Sequence, residues 1–313
     1  MSPVDPHVAG LLQFLADSGT PPVHASSPEQ ARDAFRALAV GLRQPQHVVP
    51  VRRTCETTVP GGDGERPARI YRPEVDGPVP TVVLFHGGGW VIGDLDTHDN
   101  MARSICRDAA AVVVSVDYRL APEAPFPAGL EDALAATRWA AEHLDELGGD
   151  ARLAVAGDSA GGNLAAVVAQ QLRDADGPEL AAQFLVYPAT DAPGEYASRI
   201  ENGEGYFLEL ATMEWFIGHY AAVPATRADP RISPLRAESL RGLPPAVVVT
   251  AEYDPLRDEG EAYAAALRAA GVPTEVRRFE GMIHGFFDMG PLSPGAQEAV
   301  DASCALFGKL LHG

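Results

Sequence analysis

The sequence predicts an α/β protein built on a mostly parallel, doubly wound sheet. Three observations predict it. Apolar runs without alternation, at residues 81–85, 111–116 and 246–251, read as strands buried on both faces. Helical stretches separate such runs in βαβαβ order. A strand over 152–156 enters Gly157-Asp158-Ser159-Ala160-Gly161-Gly162, and a helix over 163–173 leaves it. A serine between glycines at a strand-to-helix turn has the form of a nucleophile elbow, in which the hydroxyl stands clear of the backbone and the helix amides face the same place. The competing reading is an ordinary turn with a capping serine. At 313 residues the chain suits one large domain with an insertion better than two modest ones.

Taken in order, residues 1–48 hold helical stretches at 8–16 and 28–42, the second capped by Ser27 with Pro28 at its first position. From residue 49 the pattern changes. Segments 51–57 and 68–72 read as an antiparallel edge hairpin around Gly61-Gly62-Asp63-Gly64. The strand 81–85 ends at His86-Gly87-Gly88-Gly89-Trp90, and is followed by a helix over 97–109, the strand 111–116 and one long amphipathic helix over 127–147. Strand 183–187 extends the sheet after the elbow. Residues 190–230, rich in aromatics, break the rhythm and read as a helical insertion at the sheet edge where ligands bind, positioned to cover the site together with the N-terminal helices. The rhythm resumes with strand 246–251, helix 255–270, strand 274–279, a loop through His284 and a last helix over 294–311. No internal repeat is visible.

Composition excludes several classes of function. Hydrophobic residues at 46% and charged residues at 21% suit a folded core, not a disordered chain. With 24 Lys and Arg against 43 Asp and Glu, the net charge of -19 repels phosphate backbones and anionic membrane surfaces, so neither nucleic acid nor a membrane is an expected partner. The charge is spread along the chain, which fits solubility. Cys55, Cys106 and Cys304 are odd in number and far apart, fitting neither a disulfide framework nor a zinc set. Without a basic, apolar leader at Met1 or an unbroken apolar run of membrane length, the expected location is the cytoplasm.

A serine hydroxyl is a weak nucleophile at neutral pH, so a catalytic Ser159 requires a histidine base and an acid that orients it. The chain order Ser, Asp or Glu, His is met by Asp254, three residues after strand 246–251, and His284, five after strand 274–279. Asp258 is the rival acid, although its place one turn into the next helix has a helix-dipole explanation. His86 is expected to pack in its turn, and His98, His143 and His219 to lie at exposed loop or helix positions. The glycines after His86 would bend the backbone to present amides to an anion, so Gly87 and Gly88, ahead of Gly89, join the Ala160 amide as the expected oxyanion hole. A phosphate loop fits less well, because no Lys follows and the G-x-G-x-x-G spacing is missing.

His86-Gly-Gly-Gly-Trp90, Gly157-Asp-Ser-Ala-Gly-Gly162, Tyr118-Arg-Leu-Ala-Pro-Glu123 and Asp254-Pro-Leu-Arg-Asp-Glu-Gly260 together resemble the hormone-sensitive-lipase-like esterases of the α/β-hydrolase superfamily, the Asp before the serine placing the chain with the GDSAG subgroup. The resemblance covers roughly residues 50–311. It implies a Ser159, Asp254, His284 triad, an oxyanion hole in the HGGG loop, a cap made from the N-terminal helices and the insertion, and hydrolysis of short- to medium-chain carboxylic esters without cofactor or metal. Trp90, Phe207, Trp215 and Phe216, with Phe35, would line the substrate pocket or form the cap core. A homodimer through the last strand or helix is also implied. Amides, lactones and arylformamides are alternative substrates for the same machinery. A ligand-binding receptor of this fold is a further alternative, which the presence of His284 disfavours.

Overall fold

The computed structural model describes residues 2–41 and 43–313. Asp5 caps α1 (Pro6–Asp17) by accepting from the His7 and Val8 amides. Ser27 and Gln30 form a reciprocal capping box on α2 (Pro28–Arg36), which leads into a wider π turn over Ala37–Gly41. The expected helix over 28–42 is therefore α-helical only to Arg36, and its last residue, 42, lies outside the described residues. Strands β1 (Arg53–Pro60) and β2 (Glu65–Arg72) form the expected antiparallel hairpin, in register from Arg53 opposite Arg72 to Pro60 opposite Glu65. The solvated side chains of β1 suit an edge strand.

The chain continues through β3 (Val79–Phe85), α3 (Asp99–Asp108), β4 (Val112–Val116), α4 (Ala128–Glu142), α5 (Leu144–Leu147), β5 (Gly149–Asp158), α6 (Ala160–Asp174) and β6 (Ala182–Val186). After α7 (Ala197–Glu201) and α8 (Leu210–Tyr220) come β7 (Ala246–Tyr253), α9 (Arg257–Ala269), β8 (Thr274–Ile283) and α10 (Pro294–His312). The eight strands lie in the order β1-β2-β4-β3-β5-β6-β7-β8. From β4 to β8 all neighbours are parallel; β2 meets β4 antiparallel. Alternate residues of β3 feed two cores. Val83 and Phe85 pack with Leu130 of α4, Leu164 of α6 and Tyr263 of α9, while Val82 and Leu84 pack with Ile105 of α3 and Phe307 of α10. The order reverses between β4 and β5, so the carboxyl ends of β3 and β5 open a crevice at a topological switch point. The glycine loop follows β3 and the serine turn follows β5.

Three expectations differ in detail. The long helix 127–147 is broken at His143, whose Nδ1 donates to the Trp139 carbonyl at 2.8 Å and so takes the acceptor that a continuing helix would use. Gly148, with φ of 71°, closes the second piece. Strands β7 and β8 run on to Tyr253 and Ile283, past the expected ends at 251 and 279, where the Glu252 carboxylate accepts the Gly281 amide at 2.8 Å and the Ser2 amide at 2.9 Å. Asp254 and His284 thus follow their strands directly. Among the described residues, the segment between β6 and β7 is helical in α7, α8 and two 3-10 turns at Pro224–Ala228 and Pro234–Arg236.

Two buried groups tie that segment to the sheet. Asn163 Nδ2 donates to the Ala189 and Ile232 carbonyls, each at 2.8 Å, and so holds both ends of the excursion against α6. Glu259, at the start of α9, accepts the Thr190 and Asp191 amides at 2.8 and 3.2 Å and pairs with Arg199 at 2.5 Å. A buried carboxylate with this many partners fixes geometry strongly, because losing one partner leaves an uncompensated charge.

Candidate active site

The turn after β5 has the backbone its glycines foreshadow. Ser159 sits at φ 53°, ψ -116°, a conformation that costs a non-glycine residue on the order of 1–3 kcal/mol. It is held by the Ser159 amide donating to the Val186 carbonyl at 2.8 Å and by the Asn163 amide donating to the Ser159 carbonyl at 3.0 Å. A Cβ on Gly161 would strike the Phe85 carbonyl, and one on Gly157 would strike Gly161 itself. Helix α6 begins at Ala160, so its first amides point back at the serine.

His284 Nε2 lies 3.0 Å from Ser159 Oγ, and His284 Nδ1 lies 2.8 Å from Asp254 Oδ2. The ionised carboxylate only accepts, so Nδ1 carries the hydrogen and the Nε2 lone pair is left to accept from the serine hydroxyl. Asp254, fully buried, is oriented by the Leu256 amide, which donates to its other oxygen at 2.8 Å. The Tyr187 ring packs on the imidazole with centroids 4.6 Å apart. The rival Asp258 is turned elsewhere: it accepts the Ser198 amide at 2.8 Å and pairs with Arg257 at 2.8 Å.

The glycine loop requires a correction. The Gly87 amide donates to Asp158 Oδ1 at 2.7 Å, so it is taken up within the protein and does not face the serine as an oxyanion donor. Among the described residues the Gly88 and Gly89 amides donate to no protein acceptor. Gly88 and Gly89 have φ of 112° and 59°, and a Cβ on either would collide with the Ile92 carbonyl or the Phe216 ring. The loop is braced by His86, whose Nδ1 donates to the Gly87 carbonyl at 2.7 Å and whose ring stacks on Tyr118.

His98 also departs from expectation. It is buried, not exposed, with Nε2 3.6 Å from Asp158 Oδ2. Asp158 and His98 are the site residues that sequence reasoning missed. Their partners come from separate loops, and the one available signal was a carboxylate placed between the buried strand and the serine.

The aromatic candidates divide. Phe216 of α8 lies over Gly89, and Phe207, at φ 66°, lies against Gly285 beside His284. Trp90 stacks face to face on Tyr220 at 4.4 Å, and Trp215 packs edge-on against Phe216 and His219. Phe35 faces His98, with centroids 6.0 Å apart. Among the described residues no three His, Cys, Asp or Glu side chains gather in a metal-binding arrangement, and no helix is long and apolar enough to cross a membrane.

A serine turn at the switch point, with an aspartate and a histidine delivered by the ends of β7 and β8, has the arrangement of a hydrolase. The family model described as the alpha/beta hydrolase fold matches residues 82–288. Carboxylesterase NlhH of Mycobacterium tuberculosis is 44% identical over 317 residues, covering 98% of this chain and 97% of that protein. The ethyl acetate hydrolase of Pseudomonas putida is 40% identical, covering 95% and 96%. The crystal structure of a hyperthermophilic esterase from the archaeon Pyrobaculum calidifontis superposes with a TM-score of 0.92 at 42% identity, over 97% of this chain and 99% of that one. The chain belongs to the α/β-hydrolase family, among its hormone-sensitive-lipase-like carboxylesterases. It is a carboxylic ester hydrolase acting on small-molecule esters.

Proposed function

We propose that Ser159 is the nucleophile, His284 the general base and Asp254 the group that orients it, in a two-step hydrolysis of short- to medium-chain carboxylic esters. The observation that carries this reading is the continuous hydrogen-bonded line from Asp254 through His284 to Ser159, at 2.8 and 3.0 Å. Ser159 Oγ attacks the ester carbonyl as His284 Nε2 takes its proton. The tetrahedral oxyanion is held by the Gly88, Gly89 and Ala160 amides, and each such donor contributes on the order of 10²- to 10³-fold in rate. His284 then protonates the leaving alkoxide, and an acyl-Ser159 remains. Water, deprotonated by the same imidazole, attacks that acyl group and releases the acid and the free serine. Asp254 keeps the hydrogen on Nδ1 throughout and stabilises the imidazolium.

The N-terminal helices and the segment between Asn163's two anchors, Ala189 and Ile232, act as the cap. Arg32 of α2 supports this, donating to the Val91 carbonyl at 2.8 Å just beyond the glycine loop. Phe216 and Phe207 line the acyl side, and the Trp90–Tyr220 stack is cap packing. The small ester named in the ethyl acetate hydrolase supports a short acyl chain. Free thiols at Cys55, Cys106 and Cys304 fit the reducing cytoplasm, and the free edge of β8 suits the homodimer implied by the family.

The test is the rate on p-nitrophenyl acetate, butyrate and octanoate for wild type, Ser159→Ala and His284→Ala. Both variants should lose turnover on every ester by about 10⁴-fold or more while keeping their fold, with the wild type preferring acetate and butyrate. Turnover surviving in either variant contradicts the assignment.

A further inference from the structure

Behind the triad lies a buried polar cluster that the reaction does not use. His98 Nε2 stands 3.6 Å from Asp158 Oδ2 and 4.0 Å from Asp288 Oδ2. Its Nδ1 stands 2.9 Å from Thr97 Oγ1. That hydroxyl donates to the Asp94 carbonyl at 2.9 Å and accepts the Asp94 amide at 2.8 Å, so its hydrogen is used and Nδ1 must bring its own. Two carboxylates facing Nε2 require a hydrogen there as well. A hydrogen on both nitrogens makes the ring an imidazolium, the form that the two facing carboxylates favour.

The surrounding charges agree. Burial lowers the proton affinity of His98, but Asp158 and Asp288 outweigh it and raise its pKa to about 9. Burial likewise raises the Asp158 carboxyl, yet the His98 charge and the Gly87 amide hold it below its ordinary value. His86, its ring 5.3 Å away, is pushed down to about 4 by burial and by the His98 charge, and is neutral. Burial brings Asp288 up to about 6. From the N-terminal segment, Arg36 pairs with Asp94 and Arg43 donates to the Thr97 carbonyl at 3.4 Å.

The two acids belong to different parts of the site. Asp158 precedes Ser159 and holds the Gly87 amide; Asp288 ends the 3-10 turn that follows His284 and Gly285. We propose that His98 is a positioning residue for ester hydrolysis, fixing through Asp158 the loop that carries the oxyanion amides and through Asp288 the turn that directly follows His284. Without the cation, Asp158 is a buried carboxylate with one oxygen unpartnered, and it relaxes by taking up a proton or drawing in water. Its grip on Gly87 weakens, and Gly88 and Gly89 lose their aim. Donors pre-aimed at the oxyanion matter most in the transition state, so the loss falls on kcat and spares KM.

This proposal rests on the assignment of Ser159 and the glycine loop, and the experiment separates the two. kcat and KM for p-nitrophenyl butyrate are measured from about pH 6 to 10 in wild type, His98→Gln, Asp288→Asn and Ser159→Ala, with background hydrolysis subtracted. In wild type kcat falls as the pH rises through about 9, where the His98 cation is lost. His98→Gln lowers kcat at neutral pH about tenfold or more, leaves KM within about twofold and abolishes the alkaline fall. Asp288→Asn removes one of the two acids that support the cation, so the alkaline fall moves to lower pH. A folded His98→Gln with wild-type kcat, or a wild-type profile flat through pH 9, overturns the proposal. If His98→Gln does not fold, Asp288→Asn decides, and an unmoved alkaline limb overturns it. Turnover persisting in Ser159→Ala would instead remove the nucleophile assignment.

Discussion

The Phe216 ring occupies the space that a side chain on residue 89 would fill, so that α8 closes directly on a Gly89 amide that donates to no protein acceptor among the described residues. In the proposed mechanism, substrate specificity and transition-state support meet at this one contact. Phe216→Ala should open room beside the acyl carbon, raising the octanoate-to-acetate ratio of kcat/KM by about tenfold, the scale of a few methylenes in an apolar pocket. Gly89→Ala should cost about 10²-fold in kcat. The double variant should recover part of that loss, since the clash is removed and only the strain of φ 59° remains. Steady-state rates on the two esters measure both effects.

Asp254→Asn should leave the hydrogen bond to His284 geometrically possible but favour the wrong tautomer, with Nδ1 accepting and Nε2 protonated. The expected loss in kcat is on the order of 10⁴-fold with little change in KM. Asp258→Asn should stay within about threefold of wild type, because its side chain faces Ser198 and Arg257. Equal losses in the two variants would contradict the choice of acid.

Arg199→Met should strand the buried Glu259 carboxylate at the start of α9. Breaking a buried pair in this way costs about 3 kcal/mol or more, read as a lower urea midpoint at unchanged m-value. Arg199→Met/Glu259→Gln should recover most of the loss, since the buried charge is gone.

The His98 cation links stability to pH. Its folded pKa of about 9 lies above the ordinary histidine value of about 6.5, so its contribution is fully present below about pH 6.5 and is lost as the pH rises through 9. The Tm gap between wild type and His98→Gln should shrink across that window. A gap independent of pH would contradict a charged His98.

The elements legible in the sequence are those carried by local pattern. Residues 81–85 and 246–251 announce buried strands because parallel strands leave neither face to solvent, and Gly157 and Gly161 announce the turn because a Cβ at either would strike backbone. The order of Ser159, Asp254 and His284 follows from strand ends alone. What stayed hidden depends on contacts between distant loops. The Gly87 amide looks free until Asp158 is placed beside it, and His98 reads as a surface loop residue until Asp158 and Asp288 enclose it. The break at His143 was masked by an amphipathic pattern that continues across it, and the ends of β7 and β8 by a glutamate, Glu252, that no apolar run would admit.

Whether the ester's acyl group passes through Ser159 is read by intact-protein mass spectrometry of wild type quenched within the pre-steady-state burst on p-nitrophenyl butyrate. A mass gain of one butyryl group is expected, mapped to the peptide holding Ser159, absent in Ser159→Ala and decaying at the steady-state turnover rate. Rapid ester turnover with no burst and no adduct, or an adduct that persists in Ser159→Ala, would contradict passage through Ser159.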